Sequence, residues 1–173
     1  QGLLGGLRVT LFKDQIGIVH ATLAQIFLVS MSALALATSR WWVRGESLRD
    51  AARVPRGLVI AFGAVSFVML TQLVLGASMR HQHAGLAIPD FPLAYGKLSP
   101  ATDPESILRY NQSRQEITAL NPITATHIIH HMTHRITALI LYIAVAVCAW
   151  RAKRLVGPRH PVTRAAWAWF AIL

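Results

Sequence analysis

Long apolar runs alternate along this chain with short polar stretches, and the alternation predicts membrane helices. Ile16 to Thr38 carries no formal charge over about 23 residues, enough at 1.5 Å per residue to cross a hydrocarbon core of about 30 Å. Gly57 to Met79 is a second uncharged run of similar length, bounded by Arg56 and Arg80. A third run, from about Ile123 to Trp150, opens on a histidine cluster and closes before Arg151. Val162 to Leu173 starts a fourth, and Gln1 to Val9 reads as the tail of another helix, with Gly5 and Gly6 near its end. The expected fold class is all-α, a set of polytopic transmembrane helices.

Composition supports that reading. The chain has 173 residues, 54% of them hydrophobic and 14% charged, with a mean hydropathy of +0.44. That is too apolar for an ordinary soluble domain. The net charge of +10 would suggest nucleic acid if it formed a basic face with interleaved aromatics, but it does not. Instead, Arg40 to Arg56 holds five arginines against Glu46 and Asp50, and Arg151 to Arg164 holds five Lys/Arg and no acid. Between Arg80 and Thr126, Arg80, Lys97, Arg109 and Arg114 are balanced by Asp90, Asp103, Glu105 and Glu116. The positive-inside rule places the two basic loops on the cytoplasmic or matrix side and the long neutral loop outside. Trp41, Trp42 and Trp150 then fall at the inner ends of spans, where aromatic belts are expected. Membrane lipid is the implied surrounding and nucleic acid is not a partner. Cys148 is the only cysteine, so an internal disulfide is excluded. The chain opens on Gln1 and stops within the apolar run Ala165 to Leu173, and we expect it to be an internal piece of a longer protein.

Candidate chemistry gathers at one depth. "HIIHHMTHR" runs from His127 to Arg135, and as a helix it sets His127, His131 and His134 on one face, with His130 related to His134 by i+4. His134 lies about 24 Å of helix from Trp150, and His20 lies about 30 Å from Arg40, which brings both to the outer boundary on different helices. Arg80 ends the middle span at the same level. Ionisable residues within spans are functional candidates by default. The residues alone leave several readings open: a haem or metal site, a proton path, a zinc site on His127, His131 and His134, or helix ends solvated by headgroups. Gln72, Gly76 and Arg80 repeat every four residues, so one face offers an amide, bare backbone and a cation. A haem slot needs such a face: imidazole for iron, a small residue beside the ring, and arginine for the propionates. "QGLLGG" at Gln1 and "QLVLGA" at Gln72 share Gln-x-x-Leu-Gly, a faint sign of duplication.

Taken in order, "QGLLGGLRV", "HATLAQIF", "QLVLGASMRHQHAGLAIPDFPLAYG" and "HHMTHRITAL" resemble the haem A synthase family over nearly the whole chain. The loop Gly85 to Gly96 and the His134-Arg135 pair are the most specific parts of that resemblance. It implies two tandem four-helix haem-binding bundles. One holds a haem b cofactor, and the other holds the substrate haem O while a ring methyl is oxidised to the formyl group of haem A. By position, His20 would bind the iron of haem O in the N-terminal bundle, and His134 the iron of haem b in the C-terminal bundle. Arg135, Arg80 and Gly76 would complete the haem b site. Residues 1–40 would end the N-terminal bundle, with its last helix at about 16–38, and 41–56 would be a cytoplasmic linker. Residues 57–173 would begin the C-terminal bundle, with helices at about 57–79 and 123–150, another starting near 162, and an outer loop over 80–122.

The resemblance further implies a bacterial plasma membrane, or a mitochondrial inner membrane in a eukaryote, with the histidine side outward. Candidate partners are haem O synthase, an electron donor and a second copy of the chain, and this segment alone is expected to be inactive. A b-type cytochrome that passes electrons without modifying haem shares these features. Two departures stand out. The outer-loop cysteine pair of many relatives is missing, which excludes a thiol relay in this segment. A family glutamate of the N-terminal bundle has His131 at the corresponding C-terminal position, so no catalytic residue is assigned here.

Overall fold

A backbone inside hydrocarbon finds no water, so each apolar run has to close its hydrogen bonds within itself as helix. The computed structural model describes residues 1–11, 13–113 and 122–173, apart from the side chains at 47 and 48. Arg114 and Glu116, counted above among the loop charges, lie outside the described residues. The elements are α1 (Gly2–Leu11), α2 (Asp14–Ala37), α3 (Arg40–Val43), α4 (Glu46–Ala51), α5 (Arg56–His81), α6 (Pro104–Ser113), α7 (Ala125–Val156) and α8 (Pro161–Ile172). The protein is all-α, with no strand among the described residues. Among them α2, α5 and α7 are long and apolar enough to cross a membrane.

The predicted spans are present, and their ends differ for local reasons. α7 runs on through Arg151, Lys153 and Arg154, because cations in a last turn favour the negative end of the helix dipole. It stops where Gly157 takes φ +93, a conformation cheap for glycine, and Pro158 follows. α8 begins on His160, whose Nδ1 accepts from the Val162 amide at 3.3 Å, with Pro161 in the first turn. Since Nδ1 accepts, the His160 ring proton lies on Nε2, which donates to the Asp50 carbonyl at 3.2 Å. That buried histidine caps one helix and ties down the end of another.

The chain divides into two compact units, Gln1–Ala21 with Leu73–Ile136, and Thr22–Gln72 with Thr137–Leu173. In the second unit Val65 of α5 packs with Leu141, Val145 and Cys148 of α7, and Trp169 and Phe170 of α8 lie against them. The spacing of 141, 145 and 148 is one helix face. Opposite faces stay apolar and exposed, as at Phe67 (71%) and Ile140 (56%), which suits contact with lipid tails.

The first unit contains what hydropathy alone leaves as a loop. Asp90 organises it: Oδ1 accepts from the Tyr95 amide at 2.7 Å, and Oδ2 from the Gly96 amide at 2.8 Å. Tyr95 and Gly96 both have positive φ, at 53 and 73. Ala94 and Lys97 pair across them through backbone bonds of 2.8 and 3.1 Å. Two positive φ values between paired residues make a type I′ turn. The Tyr95 hydroxyl donates to the Ala87 carbonyl, and its ring stacks on Tyr110 of α6 at 3.6 Å. Ala87, Ile88 and Ala94 then bury against Ile123 and Ile128. Asn111 of α6 holds the far end, donating to the Ile123 carbonyl at 2.9 Å and accepting from its amide at 2.7 Å. The loop is therefore a packed element that ends on the first turns of α7.

Candidate functional site

Glycine decides where the histidines go. A Cβ built on Gly76 of α5 would lie 3.1 Å from Cε1 of His134 on α7, closer than ordinary van der Waals contact. The imidazole thus rests on bare backbone, on the face that Gly76 shares with Gln72 and Arg80. His20 of α2 lies against Gly5 of α1, whose built Cβ would be 3.5 Å from Cε1, an ordinary van der Waals distance. Gly5 and Gly76 are the glycines of the two Gln-x-x-Leu-Gly segments, so each segment lies against the histidine of the next membrane-length helix. His20 and His134 thus each lie against the glycine of such a segment on different helix pairs, His134 the more closely.

A third pairing escaped the sequence reading. A Cβ on Gly17 would fall 2.4 Å from Cε1 of His81, so His81, closing α5, occupies a notch that only glycine leaves in α2. Nothing in the pattern of Gly17 marks it, because the notch exists only once α2 and the end of α5 are side by side. His130 Nδ1 lies 3.3 Å from Gln82 Oε1, another side-chain link to the end of α5.

Arg135 faces the loop. Its Nη1 donates to the Leu93 carbonyl at 3.0 Å, its Nε donates to Nε2 of His131 at 3.1 Å, and its guanidinium carbon lies 5.6 Å from the centre of the Phe91 ring. Burial raises the Asp90 carboxyl, but the amides of Gly96 and Tyr95, its own amide and the charge of Arg135 outweigh that and hold it below its usual range. Arg80 is exposed in the last turn of α5, and no contact joins it to His134 or Arg135 among the described residues. His127, His131 and His134 do not converge: no group of three His, Cys, Asp or Glu side chains suited to a metal occurs among the described residues.

The donor set fits axial imidazole chemistry better than a metal cage. His20 presents a buried Nδ1 with no hydrogen-bond partner among the described residues. His134 is half-buried against glycine. Imidazoles lying against small residues between helices are groups that can hold a haem iron.

Membrane-crossing helices with histidines seated on glycine near their ends define a class: integral membrane proteins with imidazole sites between helices. A family described as cytochrome oxidase assembly protein, COX15-CtaA, matches residues 1–173, and the chain belongs to it. The chain is similar to a protein named "Heme A synthase" from Methylobacterium radiotolerans, 27% identical over 138 residues, covering 80% of this chain. The match spans 35% of that relative's length. No solved structure matches the chain significantly.

Proposed function

We propose that the chain is the central part of a haem A synthase, which oxidises a methyl of haem O to the formyl of haem A for terminal oxidases. The observation that carries this is the paired seating of His20 on Gly5 and His134 on Gly76 at matching glycines of two Gln-x-x-Leu-Gly segments. Family membership and the name of the relative point the same way. In this reading residues 1–40 close an N-terminal bundle, 41–56 link it, and 57–173 begin a C-terminal one. The resident cofactor would be haem b, with His134 as the residue that would hold its iron. Haem O is the substrate, with His20 at its iron.

Bound haem b would supply one-electron iron chemistry. The chain supplies position. Gly76 lets the His134 ring sit deep between helices, and Arg135, held by the Leu93 carbonyl, keeps a positive charge one residue away. Arg80 is free to turn toward a propionate, a charge-assisted contact that would fix the ring in register. The histidine ends face the periplasm or intermembrane space. Haem O synthase, an electron donor and a second copy remain the partners this reading calls for.

The test separates the two histidines in the complete protein. His134→Ala should abolish or alter the haem b spectrum. His20→Ala should keep most of it and stop conversion of haem O to haem A. Ligation is local, whereas turnover needs both sites, and small misplacements cost large factors in rate. Bound haem b and haem A formation are measured on the same preparations. Equal loss of haem b in both variants, with both folded, would overturn the two-site assignment. Bound haem b with no haem A from the unaltered protein would make it an electron-passing cytochrome.

A further inference from the structure

The surroundings of His131 carry a demand that iron ligation by His134 does not meet. His131 is only 7% exposed, and its Nε2 accepts the Arg135 Nε–H at 3.1 Å. A guanidinium nitrogen can only donate, so Nε2 bears no proton and the neutral ring carries its proton on Nδ1. That Nδ1 is buried and has no hydrogen-bond partner among the described residues. A buried donor without an acceptor is costly enough that native structures nearly always supply one. Arg135 makes no ion pair among the described residues; its charge helps hold the Asp90 carboxyl down, while the two oxygens of Asp90 each accept a backbone amide, from Tyr95 and Gly96. A carboxylate oxygen would accept from Nδ1 and add a second negative charge near the guanidinium.

We propose that His131 is a binding residue for a carboxylate of a bound tetrapyrrole, donating its Nδ1–H to it, while Arg135 fixes the tautomer that makes the donation possible. This rests on the haem reading above and assigns the propionate contact to a residue the ligand pattern leaves idle. His131 precedes His134 by three residues, a little under one helical turn and about 4.5 Å along the axis, so a ring held at one could present a propionate to the other. The loop takes part indirectly. By holding Arg135 through the Leu93 carbonyl it sets which imidazole nitrogen carries the proton.

The experiment titrates haem b into the haem-free complete protein and records the propionate bending band by resonance Raman spectroscopy. His131→Gln keeps an acceptor for Arg135 and loses the donor at the Nδ1 position. His131→Asn keeps a donor there and loses the Arg135 bond. We expect His131→Gln to bind haem about tenfold more weakly and to shift the propionate band, as loss of one charge-assisted hydrogen bond requires. His131→Asn should stay within about threefold and keep the band. His131→Leu replaces His131→Gln if the latter does not fold. Equal weakening in the donor-keeping and donor-less variants would mean a packing role and overturn the proposal, as would wild-type behaviour in both. His134→Ala, run alongside, distinguishes the failures: if it too binds haem normally, the haem reading is at fault, and if it alone loses haem, only the role of His131 is.

Discussion

A single missing methyl group governs the candidate site at the residue scale. His134 Cε1 lies 3.1 Å from where a Gly76 Cβ would be, so alanine there obliges the ring to shift by a few tenths of an ångström. Overpacking of this kind costs about 1–3 kcal/mol when the neighbour is held. Gly76→Ala in the complete protein should therefore weaken haem retention several-fold and alter the absorbance spectrum, and Gly76→Leu should abolish binding. Gly6→Ala is the control, because nothing lies within 4 Å of its built Cβ. A normal spectrum in Gly76→Ala would show that His134 does not depend on this seat. His81 in the Gly17 notch is held more tightly still, and Gly17→Ala has to swing that ring aside.

Among the elements, the loop between α5 and α6 depends on one carboxylate. Asp90 bonds two amides that turn the chain back at Tyr95 and Gly96, and the positive φ at Tyr95 persists because those bonds and the Tyr110 stack over-determine it. Its pKa is lowered below the ordinary 3.8, so the stabilisation is fully present above that value and is lost as pH falls through the lowered one. Asp90→Ala should cost about 1 kcal/mol, modest because the site is partly solvated. The check is amide hydrogen-exchange protection at Tyr95 and Gly96. It should drop in the variant at neutral pH and in the wild type only under acid below the carboxylate range. Protection that survives both would assign the turn to the aromatic stack instead.

For the whole molecule, the decisive quantity is the charge difference between loops. The arginines of 40–56 and the Lys/Arg of 151–164 lie at the ends of α2, α5 and α7 away from His20, His81 and His134 in sequence. By the positive-inside rule those basic loops stay inside. A reporter active only outside should work when fused near Pro100 and fail when fused near Gly45 or Gly157. The opposite pattern would put the histidine ends inside and undo the placement proposed for both haem sites.

Sequence by itself determined which helices are long and apolar enough to cross the membrane and their lengths to within a few residues. The physical reason is that lipid punishes an unbonded backbone or an unpaired charge so heavily that span and boundary are written in local composition. It also placed Gly76 on a useful face, because the four-residue spacing of Gln72, Gly76 and Arg80 is a property of one helix. The seating of His20 on Gly5, the notch at Gly17, the turn at Tyr95 and Gly96 with Asp90 as its clamp, and the hold of Asn111 on Ile123 came only with the tertiary structure. So did the bond that directs Arg135 to His131 and leaves the opposite nitrogen facing inward. Each joins residues from different elements, and which atoms meet there depends on how those elements pack, a matter no local period along the chain can encode.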